Sequence, residues 1–483
     1  MTVASTAVEA GTLPRTPVAA GLAGTVLMAV GGFGAGSLPR PSPGSWLGVD
    51  ALASSTAGRT ACLVVVAIGG VLLAAAWWHL RLFVEHATVG AAARVTALWS
   101  APLLIGPPMF SRDIYAYGAQ GVVVARGFNP YRLGPIEGGG FFSAHVDEVW
   151  RGTPSPYGPA YLAPASWAVR LSGSSVVPTV LLLRLLAVIG LVIAAVALVR
   201  LATRYGVPPQ RALLLGVANP LTLLHGVSGA HNDVLMLGLM LAGMAVALVP
   251  HRRPWRLVAA GALIALAALV KVPAAAALPA LVLAVPGARS RLRTAGWLVA
   301  GAAVVVVSVP ALTGVGWGWL LTFDAGRRVL SLFSPVTGLG TLLGAPLYRL
   351  GITSSTGAVR SLVLLAGSVL GALVAGVLVL RTPRLGALRA VGLALVAVVL
   401  LSPTVLPWYV LWGVVPLTAC VRRRTAEGLA AACLVLAFGT APDGHSAVRA
   451  PLYGVPLVLA VVVAVVVVRS EGASGPPLPH STV

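Results

Sequence analysis

Asp113, the consecutive residues His231, Asn232 and Asp233, and the single lysine, Lys271, are the polar side chains whose positions in an otherwise apolar chain invite chemistry. Asp113 ends one apolar run and opens the polar stretch from Met109 to Tyr131, MFSRDIYAYGAQGVVVARGFNPY. A carboxylate inside hydrocarbon is costly and tends to be kept for function, whereas one at the boundary can ionise and reach water-soluble groups. Such a group suits a general base. It must come within about 3 Å of the proton it removes, and partial desolvation tunes its basicity. The plainer role is an ion pair with neighbouring Arg112.

His231-Asn232-Asp233 follows the turn Gly226 to Ala230 and opens an apolar run. Capping a helix needs one such residue, which leaves the others for a phosphate or a sugar. His231 fits a phosphate or a sugar hydroxyl, and Asn232 and Asp233 fit the sugar. Lys271 sits at a Lys-Val-Pro break, where a buried ammonium needs a partner. Lys271, Arg327, Arg328 and Arg112 are candidates for binding a phosphate-bearing leaving group. Cations there stabilise departing charge more in the transition state than before it. Contact with lipid headgroups explains the Arg327-Arg328 pair equally well. Tyr115, Tyr157, Trp408 and Tyr409 are candidates to contact sugar faces, although an interfacial aromatic belt accounts for any one of them. The turns SPYGP at 155 to 159 and SPTVLP at 402 to 407 would fix Tyr157 and the Trp408-Tyr409 pair.

Asp113, His231 and Asp233 have the ligand types for a divalent cation, but no spacing requires one. We therefore expect no required cofactor or metal. Cys62, Cys420 and Cys433 show no paired spacing and read as small apolar packing residues.

Elements able to hold these groups are membrane helices. Of the 483 residues, 58% are hydrophobic and 9% charged, and the mean hydropathy is +0.94. Soluble domains carry about 25% charge. The formal charge of +21 is dispersed between apolar runs, which argues against nucleic-acid binding. The pattern predicts an all-α polytopic membrane protein of about fourteen spans, several shorter than the roughly 20 residues needed to cross unaided. Residues 1–15 form an N-terminal tail, 16–469 a single integral-membrane catalytic domain, and 470–483 a disordered tail. A first large outer loop covers 111–175, in which 115–125 is expected as an amphipathic helix in the interface plane. A second outer segment covers 313–360. Arginines in short loops, such as Arg200, Arg204 and Arg211 or Arg422, Arg423 and Arg424, fall on one side. The positive-inside tendency makes that side cytoplasmic, puts both termini there and places Asp113 outside. Keeping that orientation requires 257–286 to be two short helices broken at Lys271.

SRDIYAYGAQG at 111 to 121, GFNPY at 127 to 131, VDEVWRGTPSPYGPAY at 146 to 161 and HND at 231 to 233 together resemble the actinobacterial polyprenyl-phosphate-mannose-dependent alpha-(1→6)-mannopyranosyltransferases, integral-membrane glycosyltransferases of the GT-C class. The resemblance covers about residues 60 to 465. It implies a GT-C fold and inverting transfer of mannose from a beta-linked polyprenyl-phosphate donor to a growing alpha-1,6-mannan. The site would lie on the outer face of the plasma membrane, during lipomannan and lipoarabinomannan assembly. It also implies a mannan or a mannosylated phosphatidylinositol-type glycolipid as acceptor, membrane lipids as surroundings, and a catalytic aspartate early in the first outer loop, which matches Asp113. The alternatives are a related transferase using another sugar, such as arabinofuranose, and a polytopic lipid or glycan transporter. The absence of a visible inverted repeat and the clustering of acids at the outer boundary weigh against the transporter.

Overall fold

The computed structural model describes residues 11–38, 46, 54–249, 253–322, 331, 333–353, 355–445, 456–458 and 460–462. Among them the architecture is all-helical. Helices α1 (Arg15–Ala35) and α2 (Thr56–Leu80) form an N-terminal hairpin, and α3 (Val89–Ile105) packs on α1. Ser55 and Thr88 start α2 and α3 by accepting the backbone N–H groups of Gly58 and Ala91, which satisfies donors that a helix start leaves free. Gly106-Pro107-Pro108 then stops α3, because proline lacks the N–H that would continue it.

Helices α4 (Asp113–Ala125) and α5 (Pro159–Leu171) pack together beneath the first loop. The expected amphipathic helix at 115–125 is corrected here. Every residue from Ile114 to Val123 is buried, so α4 lies inside the protein with no apolar face left for lipid. Next come α6 (Val176–Arg204), α7 (Pro209–Gly216) and α8 (Asp233–Ala247). Gly190 of α6 and Gly238 of α8 meet so closely that a Cβ on Gly238 would stand 2.2 Å from the Gly190 carbonyl oxygen. Small residues at such a crossing let two backbones approach where packing drives association.

Then follow α9 (Pro254–Ala268), α10 (Ala277–Leu283), α11 (Ala288–Thr313), α12 (Pro335–Arg349), α13 (Thr356–Leu380), α14 (Ala387–Leu400), α15 (Leu411–Thr418) and α16 (Arg423–Ala437). The chain does break at Lys271, whose backbone is extended between α9 and the turn Val272–Ala276.

Among the described residues five helices are long and apolar enough to cross a membrane: α1, α2, α6, α11 and α13. A sixth crossing arises if the wide turn Thr222–Ser228 and α8, bent by 108°, count as one. This supports a multi-pass membrane protein but does not bear out a count of fourteen. Residues 211–227, one of the runs that hydropathy counts among the fourteen spans, are interrupted because Pro220 frees backbone carbonyls, which the Asn219 amide takes up at Leu215 and Gly216 (3.0 and 2.8 Å). Residues 408–420, another such run, hold the turn Pro407–Val410 followed by the eight-residue α15. Most of 452–469, the tails 1–10 and 470–483, and part of 313–360 lie outside the described residues.

Candidate active site

Five separate segments converge on one buried cluster. Asp113 stands at the N-terminus of α4, its side chain 17% exposed. Its Oδ2 lies 3.7 Å from Nδ1 of His231, and the Tyr117 hydroxyl lies 3.1 Å from that same nitrogen. The first distance is an electrostatic contact and the second a hydrogen bond. Burial raises Asp113 from an ordinary 3.8 to about 7. The Lys271 charge pulls it down, Asp233 and Asp147 push it up, and a hydrogen bond from Ser111 lowers it. A carboxylic acid so poised changes charge near neutral pH, which suits a base working there. No ion pair joins Arg112 to Asp113 among the described residues.

His231 is fully buried and its ring lies flat against Trp408, 3.7 Å between centroids and 20° between planes. It is delivered by a strained turn. Gly229 donates back five residues to Leu224 at 3.0 Å, and Ala230 holds a left-handed φ of 53°. Wide helical turns and non-glycine residues at positive φ are costly locally and concentrate at functional sites.

Asn232 occupies the cap position of α8 but makes no capping bond, so the capping role is corrected. It is 1% exposed, and neither of its amide atoms has a partner among the described residues. A buried amide with unmet donors and acceptor is a group awaiting a ligand or water.

Asp233, 1% exposed, turns the other way. Its Oδ1 accepts from Lys271 Nζ and from Trp412 Nε1, each at 2.7 Å, while Oδ2 has no partner among the described residues. The Lys271 ammonium lies 4.0 Å from the ring centroid of Tyr409, 4.9 Å from that of Trp412 and 5.7 Å from that of Tyr157. Aromatic faces and one carboxylate thus balance the buried cation. Tyr157 arrives through the expected turn. Ser155 binds Gln120 of α4 at 3.1 Å, and Gly158 sits so close to α9's end that a Cβ would fall 2.1 Å from Leu269 O.

The structure therefore brings together Asp113, His231, Asn232, Asp233, Lys271, Tyr157, Trp408 and Tyr409. It places Tyr115 elsewhere, fully buried against Phe141 and beside His145. Arg112 packs at the rim beside Gly444, while Arg327 and Arg328 lie outside the described residues. Sequence reasoning missed Trp412 and Tyr161 as site groups and counted Tyr117 only among the polar and aromatic residues that follow Asp113. Tyr161 meets Tyr117 edge-on at 5.2 Å. Only the helical offset of Tyr117 from Asp113, four residues and one turn, pointed to it. Among the described residues no group of three His, Cys, Asp or Glu could hold a metal ion.

Fold and site together define an all-α, multi-pass membrane protein with a carboxylate, an imidazole and a phenol gathered at the end of an apolar helix. A family profile described as the alpha-(1→6)-mannopyranosyltransferase N-terminal domain matches residues 18–287, and one described as the MptB C-terminal domain matches 336–470. A probable alpha-(1→6)-mannopyranosyltransferase of Mycolicibacterium smegmatis is 35% identical over 464 residues, 88% of this chain and 82% of the relative. An alpha-(1→6)-mannopyranosyltransferase of Mycobacterium tuberculosis is 33% identical over 500 residues, 91% and 84% of the two chains. Alpha-(1→6)-mannopyranosyltransferase B of Corynebacterium glutamicum is 30% identical over 465 residues, 88% and 76%. No solved structure matches. The chain belongs to the alpha-(1→6)-mannopyranosyltransferase family.

Proposed function

We propose that the chain transfers mannose from polyprenyl-phosphate-mannose to a hydroxyl of a growing alpha-1,6-mannan, with inversion at the anomeric carbon. The acceptor oxygen attacks the anomeric carbon as its proton passes to Asp113. The bond from that carbon to the lipid phosphate oxygen breaks, and polyprenyl phosphate leaves. His231 and Tyr117 hold the carboxylate side of the site. Lys271, with Arg112, Arg327 and Arg328 as further candidates, meets the charge that develops on the phosphate. Asn232, Asp233, Tyr157, Trp408 and Tyr409 contact the sugars. No step is assigned to a metal ion.

The observation that carries this reading is a carboxyl group poised near pH 7 beside a buried imidazole, within a family of mannopyranosyltransferases. Residues of both family-matched segments, Asp113 and His231 from one and Trp408 and Trp412 from the other, build the one cluster, which favours a single catalytic unit. Arginine placement supports a site on the outer face of the plasma membrane with both termini cytoplasmic, as suits a donor delivered as a membrane lipid.

The purified full chain, given polyprenyl-phosphate-mannose and a short alpha-1,6-mannoside, should lengthen the acceptor. Linkage analysis in competition with an arabinofuranose donor tests the sugar, and no extension with either donor would refute the assignment.

A further inference from the structure

Arg184 stands inside α6, the longest apolar helix, and is 1% exposed. A guanidinium within a membrane span needs acceptors. Arg184 finds them in backbone carbonyls of two different segments. Its Nη1 donates to Leu104 O at 2.7 Å and Gly106 O at 2.6 Å, and its Nη2 to Ser228 O at 3.0 Å. Trp46, 1% exposed and lying in sequence between α1 and α2, donates to the intervening Ile105 O at 3.0 Å, with Arg184 5.6 Å from its ring centroid. The end of α3, where free carbonyls and the negative pole of the helix dipole coincide, is thus closed by one cation and one indole.

Both clamped segments lead stiffly to the reaction site. From Gly106 the chain runs through Pro107 and Pro108, whose rings restrict the backbone, to the fully buried Met109 and Phe110. Phe110 holds a φ of 67° and donates to Pro442 O at 2.9 Å, and Asp113 N is tied to Ser111 Oγ at 3.0 Å. From Ser228 the strained turn ends at His231, whose N–H returns to His225 O at 3.3 Å. Neither tether has slack to absorb a shift at its clamped end.

We propose that Arg184 is a positioning residue for the transfer reaction: one guanidinium, bound at once to the Gly106 and Ser228 carbonyls, sets the separation of the Asp113 carboxylate and the His231 imidazole. The inference rests on Asp113 being the base. Trp46 completes the clamp, which gives a residue from between the two N-terminal helices a part in positioning the site. A planar fork serves this purpose where a point charge does not, since lysine cannot hold carbonyls on both sides in fixed directions.

The test uses the full chain with Arg184→Lys and Arg184→Gln, each alone and combined with Asp113→Asn. Folded Arg184→Lys should show the wild-type donor KM. Its kcat should be lower on the order of 10²-fold, the cost of a misplaced reacting group. The acid limb of its pH profile should move below that of the wild type as the loosened carboxylate gains water. In the Asp113→Asn background the same change should not lower the residual rate further. A wild-type kcat and acid limb in folded Arg184→Lys, or an equal loss in both backgrounds, overturns the proposal. Should neither Arg184 variant fold, Trp46→Phe, which removes the bond to Ile105 and keeps an aromatic ring facing Arg184, carries the test. A drop in kcat of about tenfold at unchanged KM supports the clamp, and an unchanged kcat overturns it. Full activity of Asp113→Asn would sink the base assignment instead, so the two failures are distinct.

Discussion

Oδ2 of Asp113 and Nδ1 of His231 face each other across 3.7 Å, with the Tyr117 hydroxyl 3.1 Å from that same nitrogen. The carboxylate therefore meets an imidazole in place of the arginine beside it in sequence, and one of its oxygens remains for an acceptor hydroxyl. Asp113→Asn keeps the shape and removes the base. We expect kcat to fall on the order of 10²- to 10⁴-fold with the melting temperature unchanged or higher. Radiolabelled mannose transfer and a melting curve on the same preparation check this.

The pH dependence follows from the raised carboxyl. Only ionised Asp113 accepts a proton, so kcat/KM should climb about tenfold per pH unit below about 7 and flatten above it. Stability runs the opposite way. Between the ordinary 3.8 and about 7 the folded protein holds a proton that the unfolded chain has lost. Stability therefore falls as pH rises through that window. Melting temperatures of wild type and Asp113→Asn between pH 4 and 8 should diverge, the variant losing less as pH rises.

Tyr117→Phe removes the hydrogen bond to His231 and preserves the packing against Tyr157 and Tyr161. Released from that bond, the imidazole no longer keeps one orientation toward Asp113. We expect about a tenfold loss in kcat with little change in melting temperature. Unaltered turnover would show that the phenol is only packing.

The Lys271–Asp233 pair separates stability from activity. Lys271→Met leaves a buried carboxylate whose cation is gone and should cost about 3–5 kcal/mol. Lys271→Met with Asp233→Asn should recover most of that stability, because no net charge stays buried. Recovery of activity along with stability would remove Lys271 from the phosphate site. Chemical denaturation and transfer assays on the wild type and the two variants decide it.

Asn232→Ala addresses the unpartnered amide. A capping asparagine replaced by alanine costs about 0.5–2 kcal/mol, but Asn232 makes no capping bond, so stability should hold. The expected change is a higher KM for donor or acceptor, seen in initial-rate kinetics. A stability loss without a kinetic effect would reassign the residue to the fold.

Much of this was legible in the chain itself. Hydropathy set the membrane class, the boundary position of Asp113 singled out a residue that the structure places in the cluster, and the Lys-Val-Pro break and the Ser-Pro-Tyr-Gly-Pro turn appear where they were expected. Those features are local, because burying charge in hydrocarbon and fixing proline geometry need no distant partner. The span count is not borne out for the complementary reason. Short apolar runs read alike whether they cross lipid, pack inside protein as α4 does, or break as Thr222–Ser228 does.

Which aromatic joins the site was likewise beyond the linear pattern. Tyr115 and Tyr117 are equivalent as letters, and only the docking of α4 against the His231 turn turns one toward the reaction site and the other into the core. Arg184 shows the same limit: its role lies in carbonyls that every residue possesses, so nothing in the sequence could mark Leu104, Gly106 and Ser228 as its acceptors. Composition and local pattern determined that this is a membrane protein with a carboxylate at the end of an apolar run. Tertiary packing decided what that carboxylate faces, because side-chain partners drawn from distant segments exist only once the helices have docked.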